Sequence, residues 1–483
     1  MIRAAVVRPI LRATILLAGI AAVDVASAQA TAKVPPRPTP GPMKLPVFPK
    51  ITTETLPNGL QLAVIENHKL PIVAVRFGFP GGSFVGAPGK EGGWAMMLAL
   101  LQEGSSTRTA TAVAAEAADY GTTIVWNPLF DGAPSFTTVR SAFQPVLEVV
   151  ADLLMHPGFP ADAFRRLQGQ RAATVARVPS QTAAALLVNA TLYGASHPFG
   201  RPWIGTTASI SSLTRDDIIA IHNSYVRPQN TVVVVAGDVT PAQVRSVVER
   251  ALGSWERGGV TIEPSIPAPP ARVEPTTIYL RDGPGAPTVT MYTASTVPGR
   301  GGSDAAAIEA VNAALGGTQG AGRMWQVFRT ERGLSYFPVS HLVWHAEPQV
   351  GTWLGAALAV PSDKADTAVT EWLRVLRETH GARPLTAAEL DFARSSLVGG
   401  LPGQMATLDA VATVTLLLFQ TRLPTTFYGD YVKRLNALTL DQFRAAAAKY
   451  LDPDHLVIAV VGDRAKIEAP LRATGIPVVI VDH

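Results

Sequence analysis

The sequence lacks cysteine and contains few charged residues. None of its 483 residues is a cysteine, so no disulfide can stabilise the fold, and a chain this long does not need one to form its cores. Charged residues make up only 16% of the chain and hydrophobic residues 47%, which excludes a disordered or solvating protein. The length suits two domains of about 200 residues each.

Strong basic character is also missing. The formal net charge is +4 and no run of basic residues accompanies it, so the composition does not favour nucleic acid as a partner. Three arginines near the N-terminus precede an apolar stretch from Ala13 to Val23. This stretch is too short to span a bilayer, for which about 20 residues are needed. Residues 1–30 are therefore predicted to be a bacterial signal peptide, cleaved after Ala28 or Ala30, and the expected location is periplasmic or secreted.

Long apolar runs are absent from the rest of the chain, so no membrane span is expected after the signal peptide. Two Pro-rich stretches divide that remainder. Residues 31–50 are expected to form an extended arm, and residues 263–275 an interdomain linker. They bound a first domain at 51–262 and a second at 276–483.

The two predicted domains contain a matching segment. LTRDDIIAIHNSYVRPQNTVVVVAGD begins at Leu213 and LTLDQFRAAAAKYLDPDHLVIAVVGD at Leu438, and the offset of 225 (438 − 213) holds to the end of both without a gap. In each copy an amphipathic helix ends near a Tyr, a Pro interrupts it, and a β-branched strand ends in Gly-Asp. A gapless match at equivalent places in two similar halves predicts a duplication.

Local signals predict the secondary structure of the first domain. Asn58-Gly59 is typical of a hairpin turn between two strands, and the next strand, Ile72 to Phe79, alternates between apolar and other residues. Helical patterns follow at 91–103, 109–120, 144–155 and 161–178. Strands and helices do not alternate regularly, so the predicted fold is α+β, with two homologous domains that each pack a mostly antiparallel sheet against helices.

Four stretches resemble the pitrilysin/insulysin family of zinc peptidases, in particular its shorter, processing-peptidase-like branch. They are LPNGLQLAVIENHKLPIVAVRFGFPGGS near the start of the first domain, YGASHPFGRPWIGT (193–206), the element at 213–238 and FRTERGLSYF (328–337). The resemblance covers residues from about 50 to 470. It implies that the two domains form half of a clamshell.

The zinc motif of that family is missing. In the family, H-x-x-E-H lies on a helix of the first domain, where the two His ligate zinc and the Glu activates water. Anchored on the Gly-Ser that ends EGGWAMMLALLQEGSST (91–107), the three motif positions fall on Ala95, Leu98 and Ala99, and the whole stretch between His68 and His156 lacks histidine. We therefore expect these side chains to be core residues and the first domain to be catalytically empty.

Other alignments do not restore the site. Anchoring on the glycines before the helix moves the positions to Met96, Ala99 and Leu100, and the family's third ligand, a downstream Glu, aligns with Ala173 or Thr174. None of these side chains ligates zinc. No metal or other cofactor is expected in this chain, and zinc is expected in a partner subunit.

The second domain keeps the family's other element. ALGGTQGAGRMWQVFRTERGLSYF places Arg329 and Tyr336 at paired positions that, in the family, contact substrate backbone near the scissile bond. Such donors can hold a peptide carbonyl and stabilise a developing oxyanion. The resemblance also implies that glycines in the preceding turn let a substrate backbone approach closely. The candidate substrate-binding residues are therefore Arg329, Tyr336, Gly316, Gly317, Gly320 and Gly322.

Simpler interpretations accompany each of these signals. Arg329 and Tyr336 can form a purely structural hydrogen bond, and a helix-entry turn also needs glycine. His341 and His345 have the spacing of a helical metal pair, but their segment is predicted to be a strand, where residues four apart are about 13 Å from each other. Separate structural histidines are the favoured interpretation.

The resemblance implies a noncatalytic, substrate-binding subunit of a periplasmic heterodimeric zinc metallopeptidase. Its partner would carry H-x-x-E-H, its ligand would be an extended peptide, and no autonomous activity is expected. A second hypothesis is a structural or peptide-binding protein without a peptidase partner. A third is a peptidase that uses another metal, although no cluster of His and acidic residues at ligand spacing supports it.

Overall fold

The computed structural model describes residues 47–80, 82, 88–126, 133–262, 274–318, 320–345 and 350–481. The predicted signal peptide lies outside this part of the chain, as do most of the Pro-rich arm and most of the linker. The described residues belong to one compact unit, Leu45–His483. Within it, two halves each contain one mixed six-stranded sheet.

The first half begins with the predicted hairpin, in which Gly59 at the turn has a φ of +89°. Its strands are β1 (Thr52–Thr55), β2 (Gln61–Glu66), β3 (Ile72–Gly78), β4 (Val125–Trp126), β5 (Pro134–Val139) and β6 (Val232–Gly237). They lie in the order β1-β2-β6-β3-β5-β4. The β2–β6 pair is parallel and the other pairs are antiparallel, so the sheet is mostly antiparallel, as predicted.

The helices of the first half are α1 (Gly93–Leu101), α2 (Ala110–Asp119), α3 (Phe143–Met155), α4 (Ala161–Val175), α5 (Ser180–Tyr193), α6 (Thr207–Ser212), α7 (Arg215–Tyr225) and α8 (Pro241–Leu252). Several of them cover one face of this sheet. The core of the first half lies between the sheet and side chains from α1, α3, α4, α7 and α8. The four helices predicted from periodicity between residues 91 and 178 are confirmed as α1 to α4, with ends shifted by at most three residues.

The second half repeats this plan. Its strands are β7 (Thr277–Asp282), β8 (Thr288–Pro298), β9 (Phe337–Trp344), β10 (Val350–Pro361), β11 (Val457–Gly462) and β12 (Val478–Val481). The strand order is β12-β7-β11-β8-β10-β9. The helices are α9 (Ala305–Asn312), α10 (Arg323–Trp325), α11 (Ala365–His380), α12 (Ala387–Gln404), α13 (Leu408–Gln420), α14 (Phe427–Ala437), α15 (Leu440–Tyr450) and α16 (Arg464–Ala473). Short π-helical segments, Ala313–Gly317 and Gln326–Glu331, extend α9 and α10.

The predicted duplication is visible in the element boundaries. Helix α7 and strand β6 recur as α15 and β11, and all four of their ends are displaced by 225 residues. The same offset relates the helix caps. Thr214 and Asp217 form a capping box at the start of α7, as Thr439 and Gln442 do at the start of α15. These boxes satisfy backbone donors of the first turn and define where each helix begins.

The two halves exchange one helix each. Helix α5 of the first half packs on the second sheet, where Ala184 and Val188 contact Ala294 and Val457. Helix α13 of the second half packs on the first sheet, where Leu416 lies among residues of β3 and β6. The alternation predicted for β3 therefore does not give one exposed face: helices cover one side of the strand and α13 the other, so most of its residues are buried.

One further property of the helices bears on the membrane prediction. Among the residues that the structure describes, no single helix has the length and hydrophobicity to cross a membrane, and only α12 and α13, bent by 117° where they meet, reach that threshold as a pair.

Candidate functional site

Helix α1 carries the residues that the family resemblance aligns with the zinc motif, and it is packed tightly against α7. Its N-cap, Gly92, has a φ of +85°, and a Cβ on Gly93 would lie 2.7 Å from Cδ1 of Ile221 on α7. Only glycine permits both the turn and the close approach. The Gly-Gly pair before the apolar run therefore positions the helix.

The two alignments of the zinc motif place it on different faces of α1. Met96 and Leu100 are 2% and 0% exposed and belong to the core. Ala95 and Ala99 are only half-buried, with Leu98 beside them at 7% exposed. The alignment on Ala95, Leu98 and Ala99 therefore lies on the least buried face of the helix, where a metal would be accessible to substrate.

The residues at this face do not fit a zinc ion. The side chains of Ala95, Leu98 and Ala99 offer no donor atom, and Ala173 and Thr174 at the third-ligand position of α4 are exposed and carry no carboxylate. Within the described ranges, no group of three or more His, Cys, Asp or Glu side chains is arranged to hold a metal ion. We derive no metal chemistry for this chain.

Arg329 and Tyr336 lie together, as their pairing in sequence suggested. The Cζ atom of Arg329 is 3.9 Å from the centroid of the Tyr336 ring, and its Nη1 donates a hydrogen bond of 3.2 Å to the backbone oxygen of Tyr336. The Tyr336 side chain is 69% exposed. The pair therefore presents a guanidinium and a phenol to the outside of the second half.

The sequence reasoning missed a third member of this group, Trp325. Its ring centroid lies 4.4 Å from Cζ of Arg329, so two aromatic rings contact the guanidinium. Trp325 precedes Arg329 by four residues along α10 and its π-helical extension, which places both on one helix face. That spacing was the signal in the sequence that could have revealed the contact. Cation–π contacts of this kind fix the plane of a guanidinium.

The glycines before this helix have structural roles of their own. A Cβ on Gly316 would meet the backbone nitrogen of Ser340 on β9 at 2.9 Å, and one on Gly317 would meet Nδ2 of Asn312 at 2.3 Å. Gly322 has a φ of +104° and Gly320 a φ of +79°, and only at Gly320 is there open space around the missing Cβ. Close packing and turn geometry account for Gly316, Gly317 and Gly322, which leaves Gly320 as the glycine with room for a ligand backbone.

The candidate histidines are separated, as the strand interpretation requires. His341 lies on β9 and is exposed, whereas His345 follows the strand and is buried. The Nε2 atom of His345 lies 3.1 Å from the hydroxyl of Tyr193 on α5, and that hydroxyl is also bonded to Thr352. Burial lowers the pKa of His345 to about 3, with nearby His197 contributing, and burial raises the pKa of Tyr193 to about 12. Both are neutral residues that join the two halves.

Comparison with known proteins supports the resemblance seen in the sequence. A family model described as "Peptidase M16 inactive domain" matches residues 212–397. An uncharacterized zinc protease of Mycobacterium leprae is 30% identical over 219 residues, which are 44% of this chain and 46% of that protein. Residues 212–397 are therefore similar to the inactive domain of M16 peptidases. A probable mitochondrial-processing peptidase subunit beta of Schizosaccharomyces pombe is 23% identical over 212 residues, 43% of this chain and 46% of that protein. The matches thus span less than half the length of these two curated M16 relatives.

Solved structures of M16 proteins share the fold. A peptidase M16 inactive domain from Pseudomonas fluorescens superimposes with a TM-score of 0.76 at 22% identity, covering 86% of this chain and 98% of that chain. The periplasmic protease PqqL from Escherichia coli superimposes with a TM-score of 0.68 at 15% identity, covering 92% of this chain and 50% of that chain. The predicted α+β fold, with two sheets each packed against helices, is confirmed.

Proposed function

We propose that this chain is the noncatalytic, substrate-binding subunit of a heterodimeric zinc metallopeptidase. One observation supports the proposal: the least buried face of α1, the helix that the resemblance aligns with the family's zinc helix, consists of Ala95, Leu98 and Ala99. A site built from these side chains can neither hold zinc nor activate water. Hydrolysis would therefore depend on a second, homologous chain that carries H-x-x-E-H.

In the proposed heterodimer, this chain would supply Arg329 and Tyr336 to the partner's active site. Tyr336 is exposed and Arg329 is half-buried, and the aromatic contacts hold the guanidinium in a defined plane before substrate arrives. A guanidinium and a phenol are donors that stabilise the oxyanion formed when water adds to a peptide carbonyl. Gly320 would leave room for the substrate backbone at the preceding turn.

The proposed location is the periplasm. The N-terminal sequence has the composition of a bacterial signal peptide, and the structural relative PqqL is described as a periplasmic protease. The subunit description of the S. pombe relative is compatible with assembly into a heteromer.

The decisive experiment searches the source genome for a homologous chain that carries H-x-x-E-H, mixes that homologue with this chain and follows cleavage of a fluorogenic peptide. We expect each chain alone to be inactive or weakly active and the mixture to cleave much faster. The Arg329→Ala variant should bind the partner normally but stimulate it less. Arg165→Ala, which changes an exposed arginine of α4, is the matched control. If the homologue alone cleaves as fast as the mixture, the proposal is wrong, and a stand-alone peptide-binding role takes its place.

Metal analysis provides an independent check. We expect the purified chain to contain no stoichiometric zinc by inductively coupled plasma mass spectrometry, because its zinc-helix face has no donor atoms. Stoichiometric zinc in the protein, retained after dialysis against a weak chelator, would contradict the assignment as a noncatalytic subunit.

A further inference from the structure

The hydrogen bonds of Arg329 leave most of its donors available. Nη1 donates to the backbone oxygen of Tyr336, and no other protein hydrogen bond or carboxylate partner of this side chain occurs in the part of the chain that the structure describes. Two aromatic rings lie against the guanidinium, and its N–H donors are arranged along its edge, where a ligand can accept them. The edge of a guanidinium presents parallel N–H groups that match the two oxygens of a carboxylate better than a single carbonyl oxygen.

This guanidinium stands at the beginning of an open strand. Tyr336, whose carbonyl it holds, directly precedes β9. Strand β9 is the last strand of its sheet and, within the described residues, pairs only with β10. Edge strands are usually protected by charged residues or proline, and β9 has one such residue, Pro338, near its start, whereas the segment from Val339 to Trp344 contains no proline and no Lys, Arg, Asp or Glu. A long uncharged edge is a template for another strand.

The direction of β9 determines which end of a paired peptide lies near the guanidinium of Arg329. Strand β9 runs from Phe337 to Trp344, so a peptide that pairs with it in the antiparallel sense ends beside Phe337. Such a strand lies about 4.8 Å from β9. Its C-terminal end then lies next to the residue whose carbonyl Arg329 contacts, where a terminal carboxylate finds the available guanidinium edge.

We propose that this chain binds extended peptides through their C-terminal carboxylate, with Arg329 as the carboxylate site and β9 as the edge that pairs with the peptide backbone. The inference rests on the proposed function and names its ligand class. Hydrolysis of a peptide bond adds water, so the acyl carbon gains an oxygen and becomes a carboxylate while the amine leaves with a proton. A carbonyl held by Arg329 before cleavage therefore becomes a better ligand after cleavage, and the N-terminal cleavage product is the peptide that this site retains.

The test measures binding to this chain alone, by fluorescence anisotropy, with a ten-residue, uncharged, β-prone peptide labelled at its N-terminus. Three forms are compared: a free C-terminal acid, the C-terminal amide, and an amide whose last residue is Glu. We expect the free acid to bind at least about tenfold more tightly than either amide, because a charge-assisted bidentate contact is lost. Equal dissociation constants for acid and amide overturn the inference, and a Glu amide as tight as the free acid shows that the carboxylate source is a side chain instead.

Variants and hydrogen exchange localise the site. Arg329→Ala should abolish the preference for the free acid, Arg329→Lys should retain only part of it, and Arg165→Ala should leave it unchanged. Thermal melts confirm that each variant is folded. Hydrogen–deuterium exchange should show protection of residues 337–344 by the free acid. Protection elsewhere with none in β9 contradicts the proposed edge.

The outcomes separate this inference from the proposed function. Stimulation of the H-x-x-E-H homologue without any acid preference leaves the subunit role intact and removes the carboxylate site. An acid preference without stimulation establishes a peptide-binding protein and removes the peptidase role.

Discussion

The hydroxyl of Tyr193 lies 3.1 Å from Nε2 of His345, so a side chain from α5 in the first half is hydrogen-bonded to one beside the second sheet. Both residues are buried, and Thr352 completes the group. This contact forms only because α5 crosses to the other half. Because this polar link contains a histidine, its effect on the free energy of unfolding can be measured as a function of pH.

Acid should destabilise the protein through His345. Its pKa of about 3 in the folded state lies below the ordinary value of 6.5, so between those values the unfolded state binds more protons and stability falls as pH falls. One such group contributes about 1.4 kcal/mol per pH unit across that window. We expect the pH dependence of the free energy of unfolding between pH 6 and 4.5 to become shallower in His345→Gln. The exposed His380 offers the control, His380→Gln, and an unchanged slope in the first variant would refute the prediction.

The contact between Gly78 and Leu416 tests the helix exchange. A Cβ on Gly78 of β3 would lie 2.4 Å from Cδ1 of Leu416 on α13. Overpacking should make Gly78→Ala cost about 1–3 kcal/mol, and the cavity in Leu416→Ala about 2–5 kcal/mol. Because the smaller side chain at position 416 makes room for the added methyl group, the double variant should lose less stability than the sum of the losses in the two single variants. Urea unfolding of all four proteins measures this coupling.

A matched control for that cycle lies on α12. The nearest atom to a Cβ on Gly400 would be Nε2 of Gln404, at 3.9 Å. Gly400→Ala should therefore be neutral or slightly stabilising in a helix. Strict additivity of Gly78→Ala and Leu416→Ala would mean that α13 does not pack on β3 as described.

The two alignments of the zinc motif predict different consequences of restoring histidines. Ala95→His with Ala99→His places both rings on the half-buried face of α1, so the protein should remain folded and its melting temperature should rise when zinc is added. Met96→His with Leu100→His puts imidazoles at core positions that are 2% and 0% exposed. That pair should lower the free energy of unfolding by roughly 3 kcal/mol or more. If the variant with Met96→His and Leu100→His were instead the more stable of the two, the alignment on Met96, Ala99 and Leu100 would be favoured.

The geometry at Arg329 predicts how the proposed heterodimer responds to substitution. Arg329→Ala should lower kcat/KM of the mixed subunits by about tenfold to a hundredfold, because one charge-assisted donor of the transition state is removed. Lysine keeps the charge but loses the planar fork that contacts Trp325 and Tyr336. Arg329→Lys should therefore restore only a small part of the activity. Full activity with lysine would show that charge alone matters at this position.

Local patterns were sufficient for much of the fold. The hairpin at Asn58-Gly59, helices α1 to α4, and the duplicated pair of α7 with β6 and α15 with β11 all follow from turn residues, caps and apolar periodicity. Each of these signals is local, because the residues that predict an element belong to that element or lie within a few positions of it in the sequence. The absence of metal donor atoms at the aligned positions of α1 could likewise be read directly, because it concerns which side chains are present on one helix.

Contacts between distant segments could not be read in this way. Nothing in the sequence of α5 or α13 states which sheet each helix covers, since an apolar face fits any complementary apolar surface of suitable shape. The burial of both faces of β3 depends on α13, more than 300 residues away in sequence. For the same reason the structural roles of Gly316 and Gly317 became clear only when Ser340 and Asn312 were seen beside them.

The sequence by itself determined a duplicated α+β fold that resembles M16 peptidases and a helix α1 whose aligned motif positions carry no metal donor atoms, because element type, repetition and side-chain identity are local properties of the residues. The tertiary structure alone decided that Ala95, Leu98 and Ala99 occupy the open face of α1, that the halves exchange helices, and that Trp325 joins Tyr336 around Arg329. These are properties of packing. They depend on which surfaces come into contact when the chain folds, and the packing free energy comes from contacts between residues far apart in sequence.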